Sequence, residues 1–407
     1  MAATVIRRGS DNTALVPKFW SQKYLKDSYA KNPLKPWYGS IIITEYDLKG
    51  KKGDTVEVPI VGLMSGSGVT DDGNYDSDAV GANAALPLYN LPIVIHEHGK
   101  ASSLNGTMTE KSSALRSRTL TMEGLTDWRA AFDARALIDS LSGLKLHTLG
   151  GNVLGASGLA KEGATQIACV TQVVPAYTTG NTAKRYYAGG QVLATGVYTG
   201  RVANIGSLND TNYAFGTKVI EDVKRMALKT VDSAGNLLDP IKPINVNGKM
   251  LFVMLITPEQ ARDLKMDTVW KNSHYYADIR GMENSIFSGQ LGVYDGVMLV
   301  ETDLLHQRSG ANGITGPEYF DSTTVTCASG ESVHRALFLG KDAVAYAIGE
   351  APSYVEFYVD HAKTKWGARV TSIYGVMKVC KYESTTADAA VVSDSERGCI
   401  VVDTAVA

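Results

Sequence analysis

Residues 107–142 read TMTEKSSALRSRTLTMEGLTDWRAAFDARALIDSLS. The stretch holds no proline and one glycine, Gly124, with Gly106 just before it and Gly143 just after, where helix boundaries fall. Leu125, Trp128, Phe132, Ile138 and Leu141, with Ala131 and Ala134 between them, recur at helical spacing and form one apolar stripe. A continuous helix here would run about 54 Å at 1.5 Å per residue, more than a compact domain needs. A helix that long is a strut, and the rest of the chain is read for what it supports.

Upstream, Val56, Val58 and Ile60 alternate with polar residues, as do Leu91, Ile93 and Ile95, with a Gly-rich stretch between the two runs. This predicts a long β-hairpin. A two-stranded hairpin cannot bury its own apolar face, so it must lie on something else, and nothing adjacent in sequence supplies a sheet. Gly53 to Gly99 carries seven acids and no Lys or Arg, whereas the following segment carries Lys100, Lys111, Arg116, Arg118, Arg129 and Arg135. The charge asymmetry suggests that the acidic flap of one copy (Asp71, Asp72, Asp76, Asp78) lies over the basic strut of the next (Lys111, Arg116, Arg118). Residues 1–50 are basic, with seven Lys/Arg against two acids up to Trp37, and are interrupted by Pro33 and Pro36. They read as an arm whose aromatics, Trp20, Tyr24 and Trp37, dock on another subunit; a nucleic-acid strip is the alternative.

Downstream, residues 144–215 are rich in Gly, Ala, Thr and Asn and define no clear elements. Residues 217–230 read as an amphipathic helix capped by Thr217, with a Val219, Val223, Met226 stripe and a Glu221/Arg225 pair. Met250–Ile256 is a buried strand, and Thr257-Pro258-Glu259-Gln260 after it is a capping box with proline at the first helical position. Ser288–Gly296 leads into a strand at Val297–Glu301; Val355, Phe357 and Val359 share one face of another; and 366–382 is the last long one. The segment from Glu383 to Ala407, with five acids and one arginine, reads as a loosely attached tail.

Bulk numbers narrow the class. The 407 residues suffice for two or three domains, and a net charge of −2 creates no global field toward nucleic acid or membrane. Four scattered cysteines read as reduced thiols, the N-terminus lacks a signal-peptide core, and the longest apolar run is too short to span a bilayer. The expectation is a soluble α+β protein made inside a cell. Phosphate-loop, nucleophile-elbow and H-E-x-x-H motifs are absent. His96 and His98 would share a strand face, as zinc pairs do, or simply line the polar side of the hairpin. Asp72-x-Asn74-x-Asp76-x-Asp78 imitates half a calcium loop but has Ser77 and Asn83 where the turn glycine and closing glutamate belong. Cys327 and His334 make no nucleophile–base pair. No catalytic residue, cofactor or metal is expected.

The order of basic arm, acidic hairpin, long helix, mixed body and late strands resembles the major capsid proteins of tailed bacteriophages with the Hong Kong 97 fold, nearest the N-four-like podophages. The fragments that carry it are Trp20-Ser21 with Tyr24, Asn32-Pro33, Gly53-Asp54-Thr55-Val56, Gly66-x-Gly68, Gly106-Thr107-Met108-Thr109, Thr257-Pro258, Ser288-Gly289-x-Leu291-Gly292-x-Tyr294-Asp295-Gly296-Val297, Leu339-Gly340-x-Asp342-Ala343 and Tyr374-Gly375-Val376-x-Lys378. The resemblance implies an N-terminal arm (1–52), an extended loop (53–106), a peripheral domain with its spine helix in 107–149 and C-terminal strands in 351–385, an axial domain (150–350) and a tail (386–407). It implies a non-enzymatic virion protein, made in the host cytoplasm, that self-assembles into pentamers and hexamers of an icosahedral shell around double-stranded DNA. Portal and scaffolding proteins, and a decoration or cement protein, would be its partners, with no membrane involved. Some relatives crosslink through a loop lysine; 53–99 has none, so the shell should hold without covalent links, and any scaffold should be a separate protein. Two other readings are an encapsulin-like nanocompartment shell and a metal-dependent enzyme using His96 and His98.

Overall fold

The structure is a computed structural model that describes residues 34, 39–45, 55–61, 88–103, 117–142, 186–202, 207–230, 239–246, 248–272, 291–305, 307–309, 332–359, 365–379, 382–383, 390–391 and 397–406. In chain order the elements are β1 (Ile42–Glu45), β2 (Thr55–Val61), β3 (Leu88–Val94), β4 (His96–Ser103), α1 (Ser117–Ser142), β5 (Tyr186–Val192), β6 (Val197–Arg201), α2 (Thr217–Leu228), β7 (Ile244–Val246), β8 (Lys249–Ile256), α3 (Pro258–Met266), β9 (Val293–Tyr294), β10 (Val297–Glu301), β11 (Gln307–Ser309), β12 (Ser332–Leu339), β13 (Val344–Tyr358), β14 (Trp366–Lys378), β15 (Tyr382–Glu383), β16 (Ala390–Val391) and β17 (Cys399–Ala405).

The strut exists from Ser117 onward; 107–116 lie outside the described residues. Leu125, Phe132, Ile138 and Leu141 are buried as the stripe requires. Arg129, Asp133, Ala136 and Leu137 are buried too, so the C-terminal half is enclosed on nearly every side. Gly124 faces open space, and the helix continues through it.

Two sheets meet on this helix. The larger runs β6-β5-β17-β12-β8-β10-β9, with β7 and β11 attached to β8 and β12. Tyr186, Val253, Leu255, Leu337 and Val401 on one face join the cluster around α1. Tyr187, Phe252, Met254, Phe338 and Ile400 on the other join the cluster with Val219 and Val223 of α2 and Leu264 of α3. A strand buried on both faces needs a continuous apolar run, which Phe252–Ile256 and Ile400–Val402 provide.

The loosely attached tail is therefore corrected at its end. β17 is a central strand, parallel to β5 and antiparallel to β12, and Asp403, counted among the solvated acids, is fully buried.

The second sheet runs β1-β13-β14-β4. Helix α1 covers one face: Phe132, Ile138 and Leu141 share a cluster with Tyr346, Ile348, Tyr374 and Val376, and Met122 and Leu125 meet Tyr354, Trp366, Ala368 and Val370. The predicted hairpin forms, with β2 and β3 antiparallel. Its apolar face, Val56, Ile60, Leu91 and Ile93, packs on Ala345, Ala347, Met377 and Val379 of the same chain. The receiving sheet comes some 250 residues later in sequence, so the base of the hairpin needs no neighbour. The hairpin ends at Val94, and His96–Ser103 pairs with β14 instead.

Smaller differences follow from packing. The helix at 217 is capped by Gly216; Thr217 lies inside it, with its hydroxyl and its N–H both donating to Asp267 Oδ2, at 2.6 and 2.9 Å. Burial would raise the Asp267 carboxyl, but these bonds and one from Val269 hold it below its ordinary value. Glu221 pairs with Lys218, and Arg225 pairs with Asp222. The capping box at Thr257–Gln260 is present with both reciprocal bonds. In the second half of β13 Tyr354 is buried, while Val355 and, just past the strand, Val359 are exposed.

Candidate assembly surface

Two buried ion pairs join α1 to the sheets. Arg129 sits one and three residues from Trp128 and Phe132, so the turn of the helix carries it into the interface. It is 0% exposed, and its Nε donates to Asp133 Oδ2 at 2.9 Å. Nη1 donates to Ser372 Oγ, and the guanidinium lies 4.7 Å from the centre of the Tyr374 ring. Burial lifts Asp133 above the usual carboxylate range despite the pull of Arg129.

At the C-terminal end of the helix, Arg335 on β12 donates to both carboxylate oxygens of Asp403 on β17, at 2.9 and 2.8 Å, and to the carbonyl of Ser142 at 2.9 Å. Tyr186 donates to Asp403 Oδ2 at 2.8 Å. One arginine thus caps the helix and links it to three strands of the larger sheet. Arg129 is accordingly removed from the expected basic face of the strut, because its charge is used inside.

The histidines show the same economy. His98 is buried between Phe132 and Tyr374, ring centres 5.7 and 4.5 Å away, so it is a packing residue under α1 and does not line a polar hairpin face. Among the described residues no group of three or more His, Cys, Asp or Glu is placed to hold a metal ion. His334 stands 3.0 Å from Thr257 Oγ1, and burial and the nearby Arg262 lower it to about 4 against the pull of Glu259.

A model of the phage capsid protein family matches residues 11–407. The chain belongs to that family. The capsid protein is similar in fold to the capsid of Ralstonia phage GP4, with a TM-score of 0.62 and 19% identity over 90% of this chain and 87% of that one. It is also similar to the Cyanophage Pam1 capsid (0.59, 18%, over 89% and 88%) and to the head of Helicobacter pylori bacteriophage KHP40 (0.59, 14%, over 91% of each). No curated protein matches it. It is a major capsid protein of the Hong Kong 97 fold, α+β in class, and its role is to form the icosahedral shell of the virion from copies of itself.

Of the residues singled out for assembly, Arg118 is described: it is exposed on α1 and lies over the Trp366 ring at 5.2 Å. Asp71, Asp72, Asp76, Asp78, Lys111 and Arg116 lie outside the described residues, as do Trp20, Tyr24 and Trp37. The root of the arm is seen: Leu34, Ile41 and Ile42 are buried in the main cluster, and β1 runs parallel to β13. Sequence reasoning missed the ion pairs. Arg129 and Asp133, four apart within an apolar stripe, were findable; Arg335 and Asp403, 68 residues apart, carried no local signal.

Proposed function

We propose that the capsid protein closes, as pentamers and hexamers, into a shell around packaged double-stranded DNA. The family match across nearly the whole chain carries this reading. The larger sheet with α2 and α3 would be the axial domain, and α1 with the β1-β13-β14-β4 sheet the peripheral domain. In this reading β17 returns to the axial unit and β4 joins the peripheral one. The hairpin tip at 62–87 would reach a neighbouring subunit, with Asp71, Asp72, Asp76 and Asp78 meeting basic groups that include Lys111, Arg116 and Arg118. The arm would dock through Trp20, Tyr24 and Trp37.

Portal and scaffolding proteins are the proposed assembly partners, a decoration protein an optional one, and DNA contact would be non-specific. The protein would be non-enzymatic, since its buried Arg, Asp and His groups are engaged in packing joints; a placement beside the N-four-like podophages rests on the motif order. The match to a phage family favours this reading over a nanocompartment. Expression with a scaffold should yield closed particles in electron micrographs; a monodisperse monomer at high concentration would overturn it.

A further inference from the structure

β17 comes later in sequence than every element it touches, and it touches most of the subunit. It lies between β5 and β12, paired along its whole length to β12 and over Val401–Asp403 to β5. All of Cys399–Ala405 is buried. Cys399, Val401 and Ala405 join the cluster around α1, and Ile400 and Val402 join the cluster with α2 and α3. Cys399 Sγ donates to the Leu141 carbonyl of α1 at 3.7 Å, and Gln260 Nε2 of α3 donates to Thr404 Oγ1 at 2.9 Å. The ends of the strand are held as well. The Gly340 N–H donates to the Gly398 carbonyl at 2.7 Å, Arg397 to Val379 at 3.2 Å, and Val406 to Ser332 at 3.0 Å. A Cβ on Gly398 would run into the Ala343 backbone, so the chain enters its slot through a close fit.

Without β17 the larger sheet would fall into two parts, β6-β5 and the group from β12 to β9, because among the described strands no other joins them. Each part would present an unpaired edge. Arg335 would lose both carboxylate bonds while still lying against the end of α1. An arginine without its partner keeps water around it. The Ser142 carbonyl, and with it the C-terminal end of α1, is therefore not sealed against the larger sheet until Asp403 arrives. The same helix carries the β1-β13-β14-β4 sheet, so the placement of the two sheets relative to each other is fixed at that moment. A symmetric ring closes only when its subunits share one fixed shape.

We propose that insertion of β17 between β5 and β12 is the step that makes the capsid protein competent to assemble. Before it, α1 packs on the smaller sheet while the larger one stays split, and such a chain makes no lasting contact with a growing shell. The device works through sequence order. β5, β8, β10 and β12 are all synthesised before the strand that locks them, so an incomplete chain is kept out of the particle. The proposal rests on the shell reading above.

The experiment refolds the isotope-labelled full chain from denaturant and adds it, after increasing delays, to native capsid protein assembling with its scaffolding protein. Alkylation of Cys399, read on its own peptide by mass spectrometry, reports β17; hydrogen exchange in β14 reports the smaller sheet. Incorporation of labelled chain into sedimenting particles should rise in step with protection of Cys399 and lag behind protection of β14. Asp403→Asn should slow Cys399 protection and incorporation by the same factor, roughly five- to ten-fold, with β14 unchanged. Arg335→Met combined with Asp403→Leu exchanges the ion pair for apolar groups and should restore both rates together, which general misfolding would not allow. Incorporation before Cys399 is protected, protection of Cys399 ahead of β14, or a variant in which docking and incorporation change by different factors would overturn the proposal while leaving the shell standing. Failure of the native mixture to form particles would instead overturn the shell reading.

Discussion

The two sheets treat their surfaces in opposite ways. The larger one is closed within the subunit, with α1 and its cluster on one face and α2 and α3 on the other. Among the described residues, the smaller one is covered by α1 on one side but only partly by the hairpin on the other. Apolar surface removed from water contributes about 25 cal/mol per Å² wherever it is buried. The closed sheet collects that stabilisation in the isolated chain, whereas Val355 and Val359 of the open one stay exposed in it. The difference separates a sheet buried on both faces within one subunit from one that is not.

The largest test of this contrast is at the joint of the closed sheet. Arg335→Met strands the carboxylate of Asp403 in the core, and breaking a buried pair from one side costs about 3–5 kcal/mol. The whole subunit should lose stability in chemical denaturation; a loss under 1 kcal/mol would mean that the joint does not hold the sheet to the helix. Leu91→Ala removes an apolar contact under the hairpin base, a change worth about 2–4 kcal/mol at a fully buried site. Here hydrogen exchange at 55–61 should rise while exchange in β12 and β17 stays slow. Equal loosening of both would erase the distinction between the two sheets.

Acid sharpens the comparison. His334 is held at about 4, below its ordinary 6.5, so the unfolded chain takes up a proton that the folded one refuses. This contribution is complete above pH 6.5 or so and falls away as the pH drops toward 4, amounting to about 3 kcal/mol at most. Denaturation midpoints of the parent should fall across that range, and those of His334→Gln should fall less. Gly124→Ala meets open space on a helix, so it should stabilise the subunit by about 0.5–1 kcal/mol. If it also impairs particle formation, that open space is a subunit contact. Val359→Thr should leave monomer stability within about 0.5 kcal/mol of the parent, because Val359 is 53% exposed.

Legibility tracked the range of the interactions. The capping box at Thr257 and Gln260, the stripes of α1 and α2, and the pairing of 55–61 with 88–94 all rest on neighbours within a turn or on strict alternation, and these were readable. Which face of β13 is buried was not, because alternation marks Val355 and Tyr354 as opposite without saying that Trp366 and α1 lie on the side of Tyr354. Asp403 looked like a tail acid because nothing near it in sequence announces Arg335. His98 looked like half of a metal pair because its packing partners, Phe132 and Tyr374, are far off in the chain.

By itself the sequence determined the spine helix, the hairpin, the charge asymmetry between them and, through the order of its fragments, the capsid family. These depend on local periodicity and composition, which the chain carries wherever it goes. Only the tertiary structure decided that the last strand sits at the centre of a sheet, that two arginines are buried to weld helix to sheet, and that one sheet is only partly covered by the described residues. Each of those outcomes depends on which distant segment arrives to exclude water, and burial at long range is a property of the packed chain.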